Sequence, residues 1–108
     1  MEKNMQNQEI KQRIEHAIKN NHVMLYMKGE RAQPLCGFSA QVIQILDSYG
    51  VNYATENVLA DEELREGIKE YTNWPTIPQL YVDGQFIGGC DIVTTLHRKG
   101  ELQNILKG

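Results

Sequence analysis

The sequence predicts an α/β fold in which a mixed, four-stranded sheet carries helices on both faces. Three observations support it: helical and strand periodicities alternate along the chain, one wholly apolar segment has strand length, and an Asp-Gly pair separates two further strands. A β-α-β unit that continues into a β-hairpin brings parallel and antiparallel strands into one sheet. The 108 residues have the length of a single domain, 1–108, and we expect about residues 1–8 to be loose.

The first elements alternate between helix and strand. A first helix presents four apolar residues on one face: Ile10, Ile14, Ala17 and Ile18. The pair Asn20-Asn21 is expected to end this helix. The apolar run from Val23 to Met27 predicts a central strand that is buried on both faces. Residues 28–35, "KGERAQPL", are then expected to form a loop.

Two further helices are predicted on either side of a second strand. The first of them has the apolar residues Val42, Ile45, Leu46 and Tyr49 on one face. Gly50 is expected to follow as its C-cap, and residues 52–58, "NYATENV", are expected to form the strand. The next helix is expected to have three acidic residues in its first turn, where negative charge is favoured: Asp61, Glu62 and Glu63. That helix is expected to carry Leu64, Ile68 and Tyr71 on one face.

The last third of the chain predicts a hairpin and a helical end. Asp83-Gly84 separates the strands "QLYV" and "QFIG" and is typical of a two-residue hairpin turn. Beyond Gly88-Gly89 the chain is expected to be helical, with an interruption at Gly100. This arrangement places Cys36 at the carboxyl end of the first strand and at the start of the helix that follows. Ligands of open α/β sheets bind at that edge.

Composition excludes several classes of function. The net charge of −3 argues against general affinity for nucleic acid or for anionic membranes. No apolar run approaches the roughly 20 residues that span a bilayer. Two cysteines do not make a disulfide framework, and the polar start of the chain has neither a signal-peptide pattern nor a transit-peptide pattern. These observations lead us to expect a cytoplasmic protein.

Cys36 stands alone in a segment where a dithiol redox motif would have two cysteines. It begins a C-x-x-S pattern that ends at Ser39, so no second thiol is available to resolve a mixed disulfide. A thiol at a helix N-terminus faces unpaired N–H groups, which favour the thiolate. Gly37 allows close approach of a ligand. The alternative is a buried, unreactive cysteine.

Three motifs support the reactive alternative. They are "KG----P-CGFS" at Lys28 to Ser39, "WPTIPQLYVDG" at Trp74 to Gly84, and "GGCD" at Gly88 to Asp91. In their order and spacing they resemble the monothiol glutaredoxins of the CGFS type, from about Ile10 to the C-terminus. The resemblance implies a thioredoxin-like fold, glutathione binding, and a 2Fe-2S cluster with glutathione ligands between two subunits. Glu30 and Arg31 depart from the small hydroxyl residue and the proline that the family pattern has there.

The resemblance also implies a glutathione site. Its residues are Lys28, Phe38, Arg65, Lys69, Thr76, Ile77, Pro78, Cys90 and Asp91. Lys28 is implied to meet the glycyl carboxylate, and Arg65 and Lys69 support it, unless they simply form a solvated basic face. Pro78 is implied to be cis, which would expose backbone groups of Thr76 and Ile77.

The helix that begins near Cys90 would hold the other end of glutathione. Its N–H groups are suited to the γ-glutamyl carboxylate. Asp91 would face the ligand ammonium, cap the helix, or do both. Cys90 is implied to contribute its backbone and not to ligate the cluster. Trp74 is expected to be a packing residue, and the three histidines have no metal-ligand spacing with the cysteines.

Within the resemblance, Cys36 is the implied iron ligand. A 2Fe-2S cluster takes four thiolates, which two chains and two glutathiones supply together as a homodimer. The implied role is cluster assembly, storage or transfer to client iron–sulfur apo-proteins, with a BolA-type partner, and at most weak enzymatic activity. Two alternatives remain: a glutathione-dependent oxidoreductase that removes glutathione from protein thiols, and a non-catalytic adaptor for a BolA-type protein.

Overall fold

The computed structural model describes the backbone of residues 2–107 and the side chains of residues 8–107. The expected loose segment at about residues 1–8 lies largely outside the described side chains, so it stays a prediction. In chain order the helices are α1 (Glu2–Asn20), α2 (Gly37–Ser48), α3 (Glu62–Thr72), α4 (Cys90–Arg98) and α5 (Leu102–Lys107). The strands are β1 (Val23–Met27), β2 (Gly29–Glu30), β3 (Gln33–Pro34), β4 (Ala54–Asn57), β5 (Gln79–Val82) and β6 (Gln85–Gly88).

The main sheet has four strands in the order β4-β1-β5-β6. Strand β1 pairs in parallel with β4 and antiparallel with β5, so that Leu25 lies between Thr55 and Leu80. All five residues of β1 are buried, as the apolar run predicts for a central strand. The mixed four-stranded sheet is therefore confirmed, and the carboxyl end of β1 lies in the middle of one sheet edge.

Each face of the sheet has its own hydrophobic core. Leu25 and the two other odd-numbered residues of β1 pack with α2, α4 and α5. Met24 and Tyr26 point to the opposite face and pack with α1 and α3. Because strand side chains alternate between faces, a strand that is apolar throughout needs cover on both sides. No helix within residues 2–107 has the length and apolar composition needed to cross a membrane.

Local sequence signals set two of the boundaries, one at the functional edge of the sheet and one at the opposite edge. Asp61, predicted in the first turn of α3, is its N-cap, because its carboxylate accepts a hydrogen bond of 3.1 Å from the backbone N–H of Leu64. Asp83 and Gly84 both have positive φ, of 52° and 80°, as a two-residue hairpin turn between β5 and β6 requires. The start of α3 and the hairpin turn thus follow from short stretches of sequence.

The prediction of a plain loop at residues 28–35 was wrong, because β2 and β3 form a small antiparallel hairpin there. The side chain of Glu30 accepts a hydrogen bond of 3.1 Å from Asn57 Nδ2. The Arg31 guanidinium lies 2.9 Å from the carboxylate of Asp47, and its carbon lies 4.1 Å from the centre of the Tyr53 ring. The two residues that depart from the family pattern thus anchor this hairpin to β4 and α2.

Strand β4 is also shorter than the predicted 52–58. It ends at Asn57, and a 3₁₀ turn at Val58–Ala60 follows. The side-chain oxygen of Asn57 accepts hydrogen bonds of 2.9 Å from the backbone N–H groups of Leu59 and Gly29. These bonds turn the chain at the point where the sequence pattern predicted one more strand residue.

Candidate functional site

Cys36 is the N-cap residue of α2 and lies just beyond the β2–β3 hairpin. Its backbone is extended, with φ of −146° and ψ of 133°, and its side chain is partly exposed. Ser39 is fully buried, and its hydroxyl accepts a hydrogen bond of 3.1 Å from the backbone N–H of Lys28. The structure therefore places Cys36 where the sequence predicts it, at the carboxyl edge of the sheet and accessible to solvent.

The surroundings of Cys36 favour its thiolate. Burial by itself raises the pKa of the thiol, but the backbone N–H groups of Ser39 and Phe38, the positive charge of Lys28 and the Ser39 hydroxyl all lower it. The net effect is a Cys36 pKa below its ordinary value. A partly exposed thiol with a lowered pKa is suited to nucleophilic attack or to metal ligation. The alternative of a buried, unreactive cysteine does not fit these surroundings.

A cleft of about 360 Å³ opens beside Cys36. Its wall contains eight of the nine residues predicted for a glutathione site, and the exception is Pro78. The eight are Lys28, Phe38, Arg65, Lys69, Thr76, Ile77, Cys90 and Asp91. Cys36 is not part of the wall. Lys28 and Phe38, however, both line the cleft and both lower the pKa of the Cys36 thiol. Five separate segments of the chain thus converge on one concave surface next to the cysteine.

Three cationic side chains line this cleft. Lys69 makes an ion pair of 3.5 Å with Glu66 on the same helix. Lys28 and Arg65 make no ion pair with any residue that the structure describes. Within that same part of the chain, Arg65 Nε is a buried atom without a hydrogen-bond partner. The positive charges of Lys28 and Arg65 are thus not neutralised by an ion pair within the described residues, and an anionic ligand in the cleft would neutralise them.

The backbone of residues 74–78 comes close to the start of α4. The Ile77–Pro78 peptide bond is cis, as the family resemblance implies. Pro78 does not line the cleft, but its carbonyl oxygen would lie 3.2 Å from a Cβ atom placed on Gly89. The same Cβ would lie 3.5 Å from Trp74 Nε1, so Gly89 permits a close approach that a larger residue would crowd.

The N-terminus of α4 completes the site. Cys90 is buried and begins the helix, and Asp91 is exposed in its first turn. Of the two roles left open for Asp91, the cap of α4 was wrong: the N-cap position belongs to Gly89, and no described side chain makes a cap hydrogen bond there. The exposed carboxylate of Asp91 thus remains available to the cleft, as do the first N–H groups of α4.

The sequence reasoning missed four residues of the wall. They are Trp74, Pro75, Gly89 and Ile92. Trp74 does pack as predicted, with its ring centre 5.7 Å from that of Phe86, but it also lines the cleft. Pro75, Gly89 and Ile92 each adjoin a predicted site residue, and all but Ile92 belong to the quoted motifs, so their place in or beside the motifs was the available signal. No group of three or more potential metal ligands (His, Cys, Asp or Glu) occurs within the described part of the chain.

Known proteins are similar to this chain in sequence and in fold. The family model for Glutaredoxin matches residues 23–87. A monothiol glutaredoxin of Synechocystis sp. is 54% identical over 101 residues, which cover 94% of this chain and 94% of that protein. A mitochondrial monothiol glutaredoxin of Schizosaccharomyces pombe is 48% identical over 110 residues, which cover 99% of this chain and 75% of that protein.

A solved structure agrees with these relatives. The solution structure of reduced apo GrxS14 from poplar superimposes with a TM-score of 0.81 at 45% identity, over 91% of this chain and 90% of the poplar chain. The thioredoxin-like fold is confirmed by this match. Because the family model covers more than half of the chain and close relatives cover nearly all of it, the chain belongs to the glutaredoxin family and, within it, to the monothiol glutaredoxins.

Proposed function

We propose that the cleft binds glutathione with its thiol beside Cys36. Glutaredoxins use glutathione, a tripeptide with two carboxylates, one ammonium, and a thiol at its centre. The arrangement of charge in the cleft supports this assignment. Lys28 and Arg65 suit one carboxylate, the N-terminus of α4 suits the other, and Asp91 suits the ammonium. The observation that carries the proposal is that Lys28 and Arg65, which form no ion pair with any described residue, line a cleft next to a thiol whose pKa is lowered.

The proposed cargo of the protein is a 2Fe-2S cluster held between two copies of the chain. Cys36 is the only solvent-accessible thiol among residues 8–107, because Cys90 is buried. No cluster of ligating side chains accompanies it within that range. One chain therefore supplies one thiolate, and a four-thiolate cluster requires a second chain and two exogenous thiols. A glutathione in each cleft would supply those thiols, so the donor set fits a bridging cluster and does not fit one held within a single chain.

The surface around Cys36 supports an assembly of this kind. Leu35 and Phe38, on either side of the cysteine, are 62% and 60% exposed. Large apolar side chains this exposed are suited to contact with another protein. We propose that the same surface serves the homodimer, a BolA-type partner and client apo-proteins in turn. For the compartment we propose the cytoplasm, although the fission yeast relative named above is mitochondrial.

A glutathione-dependent oxidoreductase is the second candidate, and the lowered pKa of Cys36 favours it. The Cys36 thiolate would attack the glutathione sulfur of a glutathionylated protein, and the protein thiolate would leave and take up a proton. A second glutathione thiolate would then attack the Cys36 mixed disulfide and release oxidised glutathione and the Cys36 thiolate. Ser39 cannot form an internal disulfide in this cycle. An adaptor that only binds a BolA-type partner would need neither reaction.

Two measurements separate these functions. The visible spectrum of anaerobically purified protein should show a 2Fe-2S chromophore if the chain carries a cluster. A glutathione-dependent disulfide reductase assay should give substantial turnover only if the oxidoreductase is correct. Colourless protein with high turnover would overturn the cluster proposal. Colourless protein without turnover, but with a stable complex with a BolA-type protein, would favour the adaptor.

A further inference from the structure

We infer that Gln79 is a positioning residue for the backbone that lines the glutathione cleft. Its side-chain amide, buried below the cleft, fixes the orientation of the Thr76–Ile77 peptide. Gln79 is the first residue of β5 and is 0% exposed. Only Ser39 shares its status as a fully buried polar residue among the described side chains. The inference rests on the proposed binding of glutathione and adds the residue that prepares one wall of that site.

The amide group of Gln79 holds two backbone carbonyls of the cleft loop. Its Nε2 donates hydrogen bonds of 3.3 Å to the carbonyl oxygen of Trp74 and of 3.3 Å to that of Thr76. A carbonyl oxygen only accepts, so these contacts fix which end of the amide carries the donors. Trp74 and Thr76 both line the cleft. The Gln79 side chain thus holds these two carbonyl groups of the loop on the protein side, away from the cleft.

The other end of the amide is fixed by hydroxyl groups. The Tyr81 hydroxyl donates a hydrogen bond of 3.0 Å to Gln79 Oε1, and Thr72 Oγ1 lies 3.3 Å from the same oxygen. The Thr72 hydroxyl also lies 2.8 Å from the carbonyl oxygen of Ile68 and accepts from the backbone N–H of Trp74 at 3.3 Å. Thr72 ends α3, the helix that carries Arg65 and Lys69. Gln79 therefore ties the loop to the helix that supplies the cations.

Peptide geometry connects this network to the ligand. The C=O and N–H of a trans peptide point in opposite directions. Because Gln79 holds the Thr76 carbonyl on the protein side, the N–H of Ile77 in the same peptide faces the other way, to the cleft. That N–H makes no hydrogen bond to any described residue. A backbone donor held in this direction is prepared for a carbonyl of a peptide ligand that lies along the loop as an added strand.

The test separates positioning from ordinary stabilisation. Gln79→Met keeps the length and most of the volume but removes both donors to the loop. Tyr81→Phe removes one partner of Oε1 and leaves both donors in place, so it is the matched control. Both variants should unfold at lower temperature than the unchanged protein. Calorimetric titration with reduced glutathione should show about a tenfold or larger loss of affinity for Gln79→Met, and a loss below about threefold for Tyr81→Phe.

A second readout follows the Ile77 amide directly. In the unchanged protein, saturating glutathione should move the Ile77 N–H resonance downfield and slow its hydrogen exchange. This measurement keeps the inference falsifiable even if Gln79→Met does not fold, because the inference requires the Ile77 N–H to meet the ligand. Equal glutathione affinity in folded Gln79→Met and Tyr81→Phe would overturn the inference, as would an Ile77 amide that is unaffected by glutathione.

The experiment distinguishes an error in the proposed function from an error in the role of Gln79. If the unchanged protein binds no glutathione, the function is wrong and the inference falls with it. If it binds glutathione and Lys28→Ala weakens that binding while Gln79→Met does not, only the role of Gln79 is wrong.

Discussion

The hydroxyl of Ser39 accepts a hydrogen bond of 3.1 Å from the backbone N–H of Lys28, which joins the start of α2 to the end of β1. Ser39 is fully buried, so this bond lies out of competition with water. Ser39 in the C-x-x-S pattern therefore does more than replace a second thiol. Its hydroxyl is also a structural hydrogen-bond acceptor. It also contributes to the lowered pKa of Cys36.

Ser39→Cys tests both aspects of this serine. Sulfur is a weaker acceptor than a hydroxyl oxygen, so the free energy of unfolding should fall by about 1 kcal/mol in urea titrations of the reduced protein. With oxidised glutathione as the oxidant, the variant should form a disulfide between Cys36 and the introduced thiol and lose its cluster. Thiol titration after this treatment gives the count of free cysteines. An intact cluster and two free thiols in this segment would contradict the argument.

Cys36→Ser should abolish cluster binding, because Cys36 is the only protein thiolate proposed to contact iron. Cys90→Ser is the matched control and should largely retain the cluster, since Cys90 is buried at the start of α4. Visible absorbance after identical anaerobic reconstitution compares the two variants. Equal loss of the chromophore in both would show that the ligand assignment is wrong.

Lys28→Ala and Arg65→Ala should each weaken glutathione binding by roughly 1–3 kcal/mol, as expected for loss of a charge-assisted hydrogen bond. The effect should shrink at high salt, because an open cleft is screened. Lys19→Ala removes the same charge at the end of α1, outside the cleft, and should have little effect. Calorimetric titration provides the affinities. Unchanged affinity in both cleft variants would rule out the cationic clamp.

His22 should give the fold a contribution that depends on pH. The carbonyl oxygen of Leu106, 2.7 Å from Nε2, and the carboxylate of Asp83, 2.6 Å from Nδ1, raise the pKa of His22 above its ordinary value of 6.5. A group with a raised folded-state pKa stabilises the fold fully below its unfolded pKa. That contribution is lost as the pH rises through the folded-state value. His22 therefore links α5 to the β5–β6 turn most strongly in mildly acidic solution.

Urea unfolding of the unchanged protein and of His22→Gln measures this contribution. The difference in free energy of unfolding between the two should be largest near pH 5.5 and should shrink towards pH 8.5. Glutamine is the suitable replacement because it keeps a polar side chain but does not titrate. A difference that is constant over this range, or that grows with pH, would contradict the assigned role.

Most of the fold could be predicted because local signals and burial agree. The apolar run of β1, the Asp83-Gly84 turn and the acidic start of α3 at Asp61 each specify a structure on their own. The β2–β3 hairpin could not be predicted, since Glu30 and Arg31 hold it through residues far along the chain. Sequence periodicity records which faces are buried, but it does not record side-chain contacts between distant segments.

The site was predictable to a similar degree. Short motifs identified the residues of the cleft, and eight of the nine predicted for glutathione line it. The capping role that was left open for Asp91 was wrong, because the backbone geometry of the cap begins two residues earlier, at Gly89. Gln79 could not be recognised as a positioning residue, because glutamine at the start of a strand carries no signal of what its amide will contact.

The stoichiometry of the cluster tests the whole proposal. Reconstitution with iron and sulfide should give a 2Fe-2S chromophore only when glutathione is present, and the product should elute as a dimer. Acid treatment should release one cluster and two glutathiones per dimer. Since the two exogenous thiols are held without covalent attachment to the protein, removal of free glutathione should destabilise the cluster and return colourless monomer by mass action. This lability suits a protein that hands its cluster on. A stable cluster on a monomer in glutathione-free buffer would overturn the mechanism, because one accessible cysteine per chain cannot supply its ligands.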